Sequence, residues 1–318
     1  MKQKRTFPKL DLEKLALTSL ASRPSKVSHE AVARPPKAGG SFAEFWSGLP
    51  DVLAARDLRE LVRDVVTAHR ANKTVVVGIG GHVMKVGLSP LVVDLMRDGI
   101  VNAVAANGSV CIHDVELAIA GKTSEDVDAA LRDGSFGMAS ETADFILDAI
   151  SRRGAAVGLG LALGEALLER NAPFNDTSIL AQGAALGVPV TVHVAIGTDI
   201  IHMHPKADGA ALGAASLLDF RTFTDIVASL TDGGAYLNLG SAVMLPEVFL
   251  KALSVARNLG YRGSFTTADF DFIRQYRPRT NVVFRPHLGA GGRGYMLTGH
   301  HELMLPLFVA GLRNALAL

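Results

Sequence analysis

The chain has 318 residues, of which 48% are hydrophobic, so it can bury a large core, and this excludes the disordered and collagen-like classes. Its 32 basic and 31 acidic residues leave a formal net charge of +1, which gives no overall field to attract nucleic acid or an acidic membrane. A small-molecule ligand is therefore the better expectation.

The single cysteine, Cys111, excludes an intramolecular disulfide and favours a reducing compartment. It follows a predicted strand and could be a nucleophile, although a small buried hydrophobe is the simpler interpretation. The N-terminal sequence lacks the apolar core of a signal peptide, and no segment has the ~18 uninterrupted apolar residues of a membrane span. We expect a cytoplasmic protein.

Residues 1–45 are set apart by Lys, Arg and Pro and by Gly39-Gly40, which predicts an N-terminal arm. The arm is either a loose tail or a segment that packs on a neighbouring subunit. Residues 46–318 are predicted to form a single α/β domain. An amphipathic helix over 51–72 leads into its first strand.

The segment 74–108 has the clearest pattern, which is a buried strand, a glycine turn, an apolar helix and a second buried strand. In a parallel βαβ unit, ligands bind beyond the carboxyl ends of the strands, where helix N-termini offer free N–H groups. The turns at Gly80-Gly81-His82 and Asn107-Gly108-Ser109 are therefore the first candidates for a site. The glycines alone are weak support for a dinucleotide fingerprint, because Val83 stands where the third glycine is expected.

Helices and buried strands continue to alternate along the chain. Helices are predicted over 112–120, 124–132, 138–153, 177–185, 210–230, 243–259 and from 301, and strands over 188–194, 235–239 and 281–285. The glycines of 155–164 are a near miss for a nucleotide loop and are better explained by close helix packing. This order predicts a doubly wound, mostly parallel sheet flanked by helices, which is a Rossmann-like fold.

Each predicted strand ends in a polar or glycine turn, and in a parallel sheet these turns share one edge. Five such turns make a cleft. They lie at Gly80, Asn107, Asp199, Gly240 and His287.

Most of the 10 histidines fall in or just after these turns, where imidazoles can act as acid and base near neutral pH. His202 and His204 also have the spacing of two metal ligands on one face of a strand. Asp199 ends a strand, where its carboxylate could accept hydrogen bonds from ribose hydroxyls or cap the next helix. Glu247 and Glu302 fall in the first turns of helices, where the helix dipole alone favours negative charge.

From Thr74 onwards, the order of parts resembles deoxyhypusine synthase. Five stretches carry the resemblance: GGHVMKVG (80–87), MRDGIVNAVAANG (96–108), ALGVPVTVHVAIGTD (185–199), GAYLNLGSAV (234–243), and VVFRPHLGAGG with TGHHE (282–302). That family is a Rossmann-like tetramer that binds NAD, oxidises spermidine and passes an aminobutyl group through an imine on a lysine. The resemblance therefore implies a homo-oligomer with an NAD cleft.

The cofactor positions that the resemblance implies lie in the glycine and polar turns. They are Gly80, Gly81, His82, Ala106, Asn107, Gly108, Asp199, Gly240, Ser241, Ala242, Pro286 and His287.

The amine-transfer half of the family's site is not kept. Counting without gaps from Glu302, the imine-forming lysine falls at Phe308, which cannot form a Schiff base. The family's acidic residues fall at Gly292, Tyr295 and His204, and its catalytic histidine falls at Glu247. These departures argue against true deoxyhypusine synthesis.

Arg293 in the same glycine-rich stretch suits a substrate with a carboxylate or phosphate. Lys85 and Lys206 are the lysines that could replace the missing one, although exposed structural lysines are the simpler explanation. His204, Glu247 and Glu302 are the predicted acid–base and substrate-positioning residues.

The leading prediction is an NAD-dependent oxidoreductase or transferase that acts on a small molecule, with no nucleic acid or membrane partner and with no metal assigned. One alternative is a metal-assisted hydrolase or lyase that uses His202 and His204. The other is a nucleotide-binding protein without catalysis.

Overall fold

A computed structural model describes residues 5–317. Its helices are α1 Phe42–Gly48, α2 Leu53–Arg70, α3 Gly81–Lys85, α4 Ser89–Arg97, α5 Gly108–Ala120, α6 Val127–Ala130, α7 Ser140–Ala149, α8 Ala155–Val157, α9 Leu159–Glu169, α10 Ile179–Leu186, α11 Gly209–Leu230, α12 Met244–Asn258, α13 Tyr276–Pro278 and α14 His301–Leu316. Its strands are β1 Val75–Ile79, β2 Ala103–Asn107, β3 Val190–His193, β4 Ala235–Leu239, β5 Thr266–Asp271 and β6 Arg293–Thr298.

The six strands form one all-parallel sheet in the order β3-β2-β1-β4-β5-β6. Adjacent β1 and β4 start the two halves of the sheet, and their registers pair Val75 with Ala235 and Ile79 with Leu239. This is the doubly wound order, in which strands β1 to β3 are added towards one side of the sheet and strands β4 to β6 towards the other. The Rossmann-like α/β prediction is confirmed.

Alternate residues of the central strands enter two apolar cores, as the two-residue period of a strand requires. Val75 and Val77 of β1 join the larger core, which α2, α4, α5, α9 and α14 also enter. Val76 joins the smaller core with residues of α11 and α12. Helices therefore cover both faces of the sheet, and a ligand can reach it only at the ends of its strands.

Most of the elements predicted from the sequence are present. The strand over 235–239 matches β4, and the helices predicted over 51–72, 210–230 and 243–259 match α2, α11 and α12 within two residues at each end. The glycines of 155–164 are packed as expected, since a Cβ atom at Gly160 would overlap the Val190 carbonyl oxygen and one at Gly164 would overlap that of Leu180. Cys111 is buried, and burial raises its pKa.

The last predicted strand, over 281–285, is wrong. Residues Arg279–Phe284 form a π-helical turn between Pro278 and Pro286, and the last strand is β6, about twelve residues later. The Val282 carbonyl accepts a hydrogen bond of 2.7 Å from the Thr267 hydroxyl, so this segment packs beneath β5 rather than joining the sheet. Only Asn281 and Val282 of the run NVVF are buried in this helical turn, and the pattern of so short a run cannot distinguish such a turn from a strand.

Residues 5–30 are exposed along their whole length and include large apolar side chains such as Phe7, Leu10 and Leu17. Contacts with the body begin just after them, where the Ala31 carbonyl accepts from the Asp51 N–H and the Arg34 guanidinium donates to the Ser47 carbonyl. Within residues 5–317, no helix has the length and apolarity needed to cross a bilayer.

Candidate functional site

The carboxyl edge of the sheet gathers the turns that follow all six strands. Four of the five turns predicted for this edge lie there, at Gly80, Asn107, Asp199 and Gly240. The turn after β5 begins at Phe272, and the turn after β6 leads into His301, the first residue of α14.

The glycine turns after β1 and β4 approach each other closely. A Cβ atom at Gly80 would overlap the Gly240 carbonyl oxygen, and Gly240 itself has φ +69°. A Cβ atom at Gly81 would overlap Ser109 Oγ in the turn after β2. Glycine permits these contacts because it has no Cβ atom. The turns after β1, β2 and β4 are therefore packed closely together at the centre of the carboxyl edge.

The predicted residues Asn107 and Ser241 each form a hydrogen bond with the first turn of the helix that follows them. Asn107 caps α5 by accepting a hydrogen bond from the Val110 N–H at 3.2 Å, and Ser241 Oγ accepts from the Leu245 N–H at 3.1 Å. Ala242 is half-buried beside Ser241, whereas Ala106 is buried inside β2. Ala242 is therefore accessible at the carboxyl edge between β1 and β4, whereas Ala106 lies beneath this surface.

Three aromatic rings cluster where β1, β5 and β6 end. The ring centroid of His82 lies 5.3 Å from that of His301 and 5.4 Å from that of Phe272. His301 Nε2 donates to the Phe270 carbonyl at 3.0 Å, which leaves Nδ1 as a buried acceptor with no partner within residues 5–317. Burial is the main cause that lowers the pKa of His301, so its neutral form is favoured.

A second polar pair lies where β3 ends. Asp199 Oδ2 and His202 Nε2 are 4.0 Å apart, and both atoms are buried with no hydrogen-bond partner in the described chain. Burial raises the pKa of Asp199, and the nearby His202 ring lowers it. Asp199 packs against the first residue of α5, because a Cβ atom at Gly108 would overlap its Oδ2.

A cavity of about 280 Å³ opens beside this pair. Its polar lining includes Lys85, Ser109, His113, Glu116, Ser124, Glu125, Thr198 and Asp199. Thr123 Oγ1 links His113 and Glu116, since it is 2.7 Å from His113 Nδ1 and donates to Glu116. Burial raises the pKa of Glu116, but the nearby His113 ring and the hydrogen bonds from Thr123 and Thr142 outweigh it and leave the pKa lowered. The cavity therefore presents charges of both signs beside the strand ends.

The predicted acid–base residues are held by different neighbours. His204 lies 3.8 Å from Asp144 of α7, and Glu247 is paired with Arg277 at 3.1 Å. Glu302 is half-exposed at the start of α14. No hydrogen bond or ion pair connects the three with one another in the chain as described.

Pro286, His287 and Arg293 were predicted at the carboxyl edge, and this placement is wrong. Arg293 is the first residue of β6 and therefore lies at the amino edge, where it donates to Glu60 at 3.0 Å. His287 Nε2 is 2.7 Å from Thr267 Oγ1, near the amino end of β5. The cause is the misplaced strand, which put the glycine-rich stretch after a strand instead of before one.

The metal alternative loses its geometric basis. His202 lies in a 3₁₀ turn, Ile200–Met203, rather than on a strand, and it faces Asp199 while His204 faces Asp144. Among residues 5–317, no group of three or more His, Cys, Asp and Glu side chains is arranged to hold a metal ion.

The sequence analysis did not identify Phe272 as a residue of this edge. It also did not identify the buried contacts of His301 with His82 and the Phe270 carbonyl. The segment TTADFD (266–271) alternates with the period of a strand, but its aspartates are a residue type that is mostly exposed. Asp269 and Asp271 are in fact buried, and Asn238 Nδ2 donates to Asp269 at 2.7 Å.

Solved structures share this fold at low sequence identity. A conserved candidate LOR/SDH protein from Methanococcus maripaludis S2 matches 83% of this chain and 71% of its own, with 12% identity and a TM-score of 0.53. A candidate deoxyhypusine synthase from Entamoeba histolytica matches 86% of this chain and 93% of its own, with 10% identity and a TM-score of 0.50. The chain thus has the fold of these proteins.

AgrE, in a ternary complex with ornithine and NAD+, matches 84% of this chain at 16% identity and a TM-score of 0.52. This chain covers only 34% of AgrE, about a third of its length. No protein-family model and no curated protein matches the sequence.

Proposed function

We propose that the chain is an NAD-binding enzyme that oxidises a small molecule or transfers a group from it at the carboxyl edge of the sheet. The observation that carries this proposal is the crevice between β1 and β4. The connection after β1 enters the larger core through α3 and α4, and the connection after β4 enters the smaller core through α12. Dinucleotides bind in this fold where the connections diverge in this way.

The residues at the edge fit a dinucleotide. Asp199 Oδ2, His202 Nε2 and His301 Nδ1 are buried polar atoms without partners in the described structure, and such atoms are costly unless a ligand or water satisfies them. Bound NAD would supply a hydride acceptor. The chain's own contribution is to hold its hydroxyl and amide groups and to exclude water around it.

Two further observations bear on the substrate. Phe308, at the position that the resemblance gives to the imine-forming lysine, is buried against Phe270 with ring centroids 5.3 Å apart. This supports a reaction other than deoxyhypusine synthesis. Lys85 lines the cavity beside the edge, and we propose that it faces the substrate in place of Arg293.

We also propose a homo-oligomer, with the tetramer of the resembling family as the expected state. Large apolar side chains around the carboxyl edge support this proposal, because exposed apolar patches mark interaction surfaces. They are Ile196 at 65% exposure, Val243 at 55%, Phe272 at 44%, Ile273 at 53% and Leu303 at 67%. Light scattering of the wild-type chain and of Leu303→Glu tests it, and a monomeric wild type would contradict it.

Calorimetric titration of the purified protein with NAD+, NADH and NADP+ tests the cofactor. Micromolar binding, about −8 kcal/mol, is expected for NAD+ or NADH. Ala242→Gln fills the crevice and should abolish it. Asp232→Asn is the matched control, because Asp232 is exposed just before β4 at the opposite edge and pairs there with Lys73.

Absence of binding to the wild type would overturn the NAD proposal and leave the fold as the only likeness. Binding that survives in Ala242→Gln would place the nucleotide elsewhere. Tight binding without turnover of any candidate substrate would favour the nucleotide-binding protein without catalysis.

A further inference from the structure

The His202 ring is held in one tautomer by the backbone. Its Nδ1 accepts hydrogen bonds from the N–H groups of Gly197 at 3.1 Å and Asp199 at 3.2 Å. An atom that accepts two hydrogen bonds carries no proton, so the proton of the neutral ring is on Nε2. The Nε2–H group is therefore a donor, and the nearest carboxylate oxygen is Asp199 Oδ2.

The two groups are complementary and nearly enclosed. The His202 side chain is 6% exposed and that of Asp199 is 7% exposed. The gap of 4.0 Å between Nε2 and Oδ2 is too long for a hydrogen bond. Such bonds are often long in the absence of ligand and shorten when a site is filled.

Asp199 also lines the neighbouring cavity. Oδ2 faces His202 and Gly108, whereas Asp199 as a residue lines the cavity of about 280 Å³. An ionised carboxylate oxygen is only an acceptor, so its partner must be a donor, and a hydroxyl group is one neutral donor of this kind.

We propose that His202 is a positioning residue, which holds Asp199 through Oδ2 so that Oδ1 accepts a hydrogen bond from a hydroxyl group of the bound ligand. The hydroxyl belongs either to a ribose of the dinucleotide or to a hydroxylated substrate. The ligand half of this proposal rests on the proposed function, whereas the pairing of Asp199 with His202 does not.

Other titratable groups also surround Asp199 and must be kept constant in a test. They are Lys85 on α3, Cys111, His113 and Glu116 on α5, and Glu125 in the loop before α6. Removal of the imidazole alone isolates its contribution, since none of these groups is changed.

The pairing is tested by carbon-detected NMR titration of the Asp199 carboxyl group in the wild type, His202→Phe and His202→Gln. Because the nearby imidazole lowers the pKa of Asp199, its loss in His202→Phe should raise that pKa. His202→Gln keeps an N–H donor and should give a smaller change. His29→Phe, an exposed change in the arm, is the control.

An Asp199 titration that is unchanged in His202→Phe overturns the proposal. This readout does not need a cofactor, so a wild type that fails to bind NAD+ would contradict the proposed function while the titration still decides the pairing.

The source of the hydroxyl is tested with NAD+ and its analogues that lack one ribose hydroxyl. If the hydroxyl is on a ribose, His202→Phe should weaken NAD+ binding about tenfold, and one deoxy analogue should bind the wild type and the variant equally. If NAD+ binding is unchanged while the Asp199 titration shifts, the hydroxyl is assigned to the substrate. If Asp199→Asn alters neither NAD+ binding nor substrate turnover, the ligand half is overturned.

Discussion

The carboxylate of Asp199 lies directly against Gly108, the first residue of α5, so closely that a Cβ atom there would overlap Oδ2. Gly108→Ala should therefore displace this carboxylate from its place beside His202. We expect binding of NAD+ to weaken tenfold or more, because about 1.4 kcal/mol of lost interaction gives that factor. Calorimetric titration measures the change.

Gly213→Ala provides the matched control for this substitution. Gly213 lies within α11, and nothing is within 4 Å of the position of its Cβ atom. Alanine there should raise the free energy of unfolding by roughly 0.5–1 kcal/mol and leave binding unchanged. Equal NAD+ affinities in the two variants would show that the position of the carboxylate does not affect NAD+ binding.

Asp219 connects β3 to α9 through the backbone. Its Oδ2 accepts hydrogen bonds from the N–H groups of Val192 at 2.7 Å and Gly160 at 3.0 Å. Asp219→Ala leaves two buried donors unpaired, and we expect it to cost about 2–6 kcal/mol. Asp219→Asn keeps an acceptor and should cost clearly less. Urea unfolding of both variants measures the difference, and similar losses would contradict the hydrogen-bond explanation.

The strands β1 to β4 could be predicted from the sequence, because each is a short β-branched or apolar run bounded by turn residues. The last two strands, β5 and β6, could not. β5 contains Asp269 and Asp271, whose burial depends on tertiary partners such as Asn238, and no local pattern shows that partner. The run NVVF has the apolar pattern of a strand, but it forms a helical turn in which Val282 packs under β5 and Phe284 is exposed.

The candidate site followed the same division. The turns at Gly80, Asn107, Asp199 and Gly240 could be placed because each ends a strand that the pattern located. His287 and Arg293 were placed at the wrong edge, because the strand predicted over 281–285 put them after a strand, whereas the last strand, β6, begins only at Arg293. The role of His202 depends on backbone hydrogen bonds, which the sequence does not reveal.

The buried hydroxyl group of Tyr236 has no hydrogen-bond partner in the described structure, and its removal is expected to stabilise the protein. Its ring stacks on Phe249 with centroids 4.1 Å apart and planes 4° apart, while its Oη is buried without a partner in the described structure. Tyr236→Phe keeps the stack and removes the unsatisfied group, so the free energy of unfolding should rise by about 1 kcal/mol. A loss of stability in thermal or urea unfolding would show that the hydroxyl has a partner, such as an ordered water.

Asp269 should make the stability of the protein fall as the pH rises. Burial raises its pKa from 3.8 to about 7, so the folded state favours the protonated carboxyl. The contribution is complete below pH 4 and is lost progressively as the pH rises to about 7. Asp269→Asn is uncharged at every pH and still offers an oxygen to Asn238.

Between pH 5 and pH 8, the free energy of unfolding should therefore fall by about 3 kcal/mol less in Asp269→Asn than in the wild type. One pKa unit corresponds to about 1.4 kcal/mol. Urea unfolding at the two pH values measures this difference. Asp219, whose pKa burial also raises to about 7, remains in the variant and keeps its own share of the slope. Asp232→Asn is the exposed control, and a variant at position 269 with the wild-type slope would show that this carboxyl ionises freely in the folded protein.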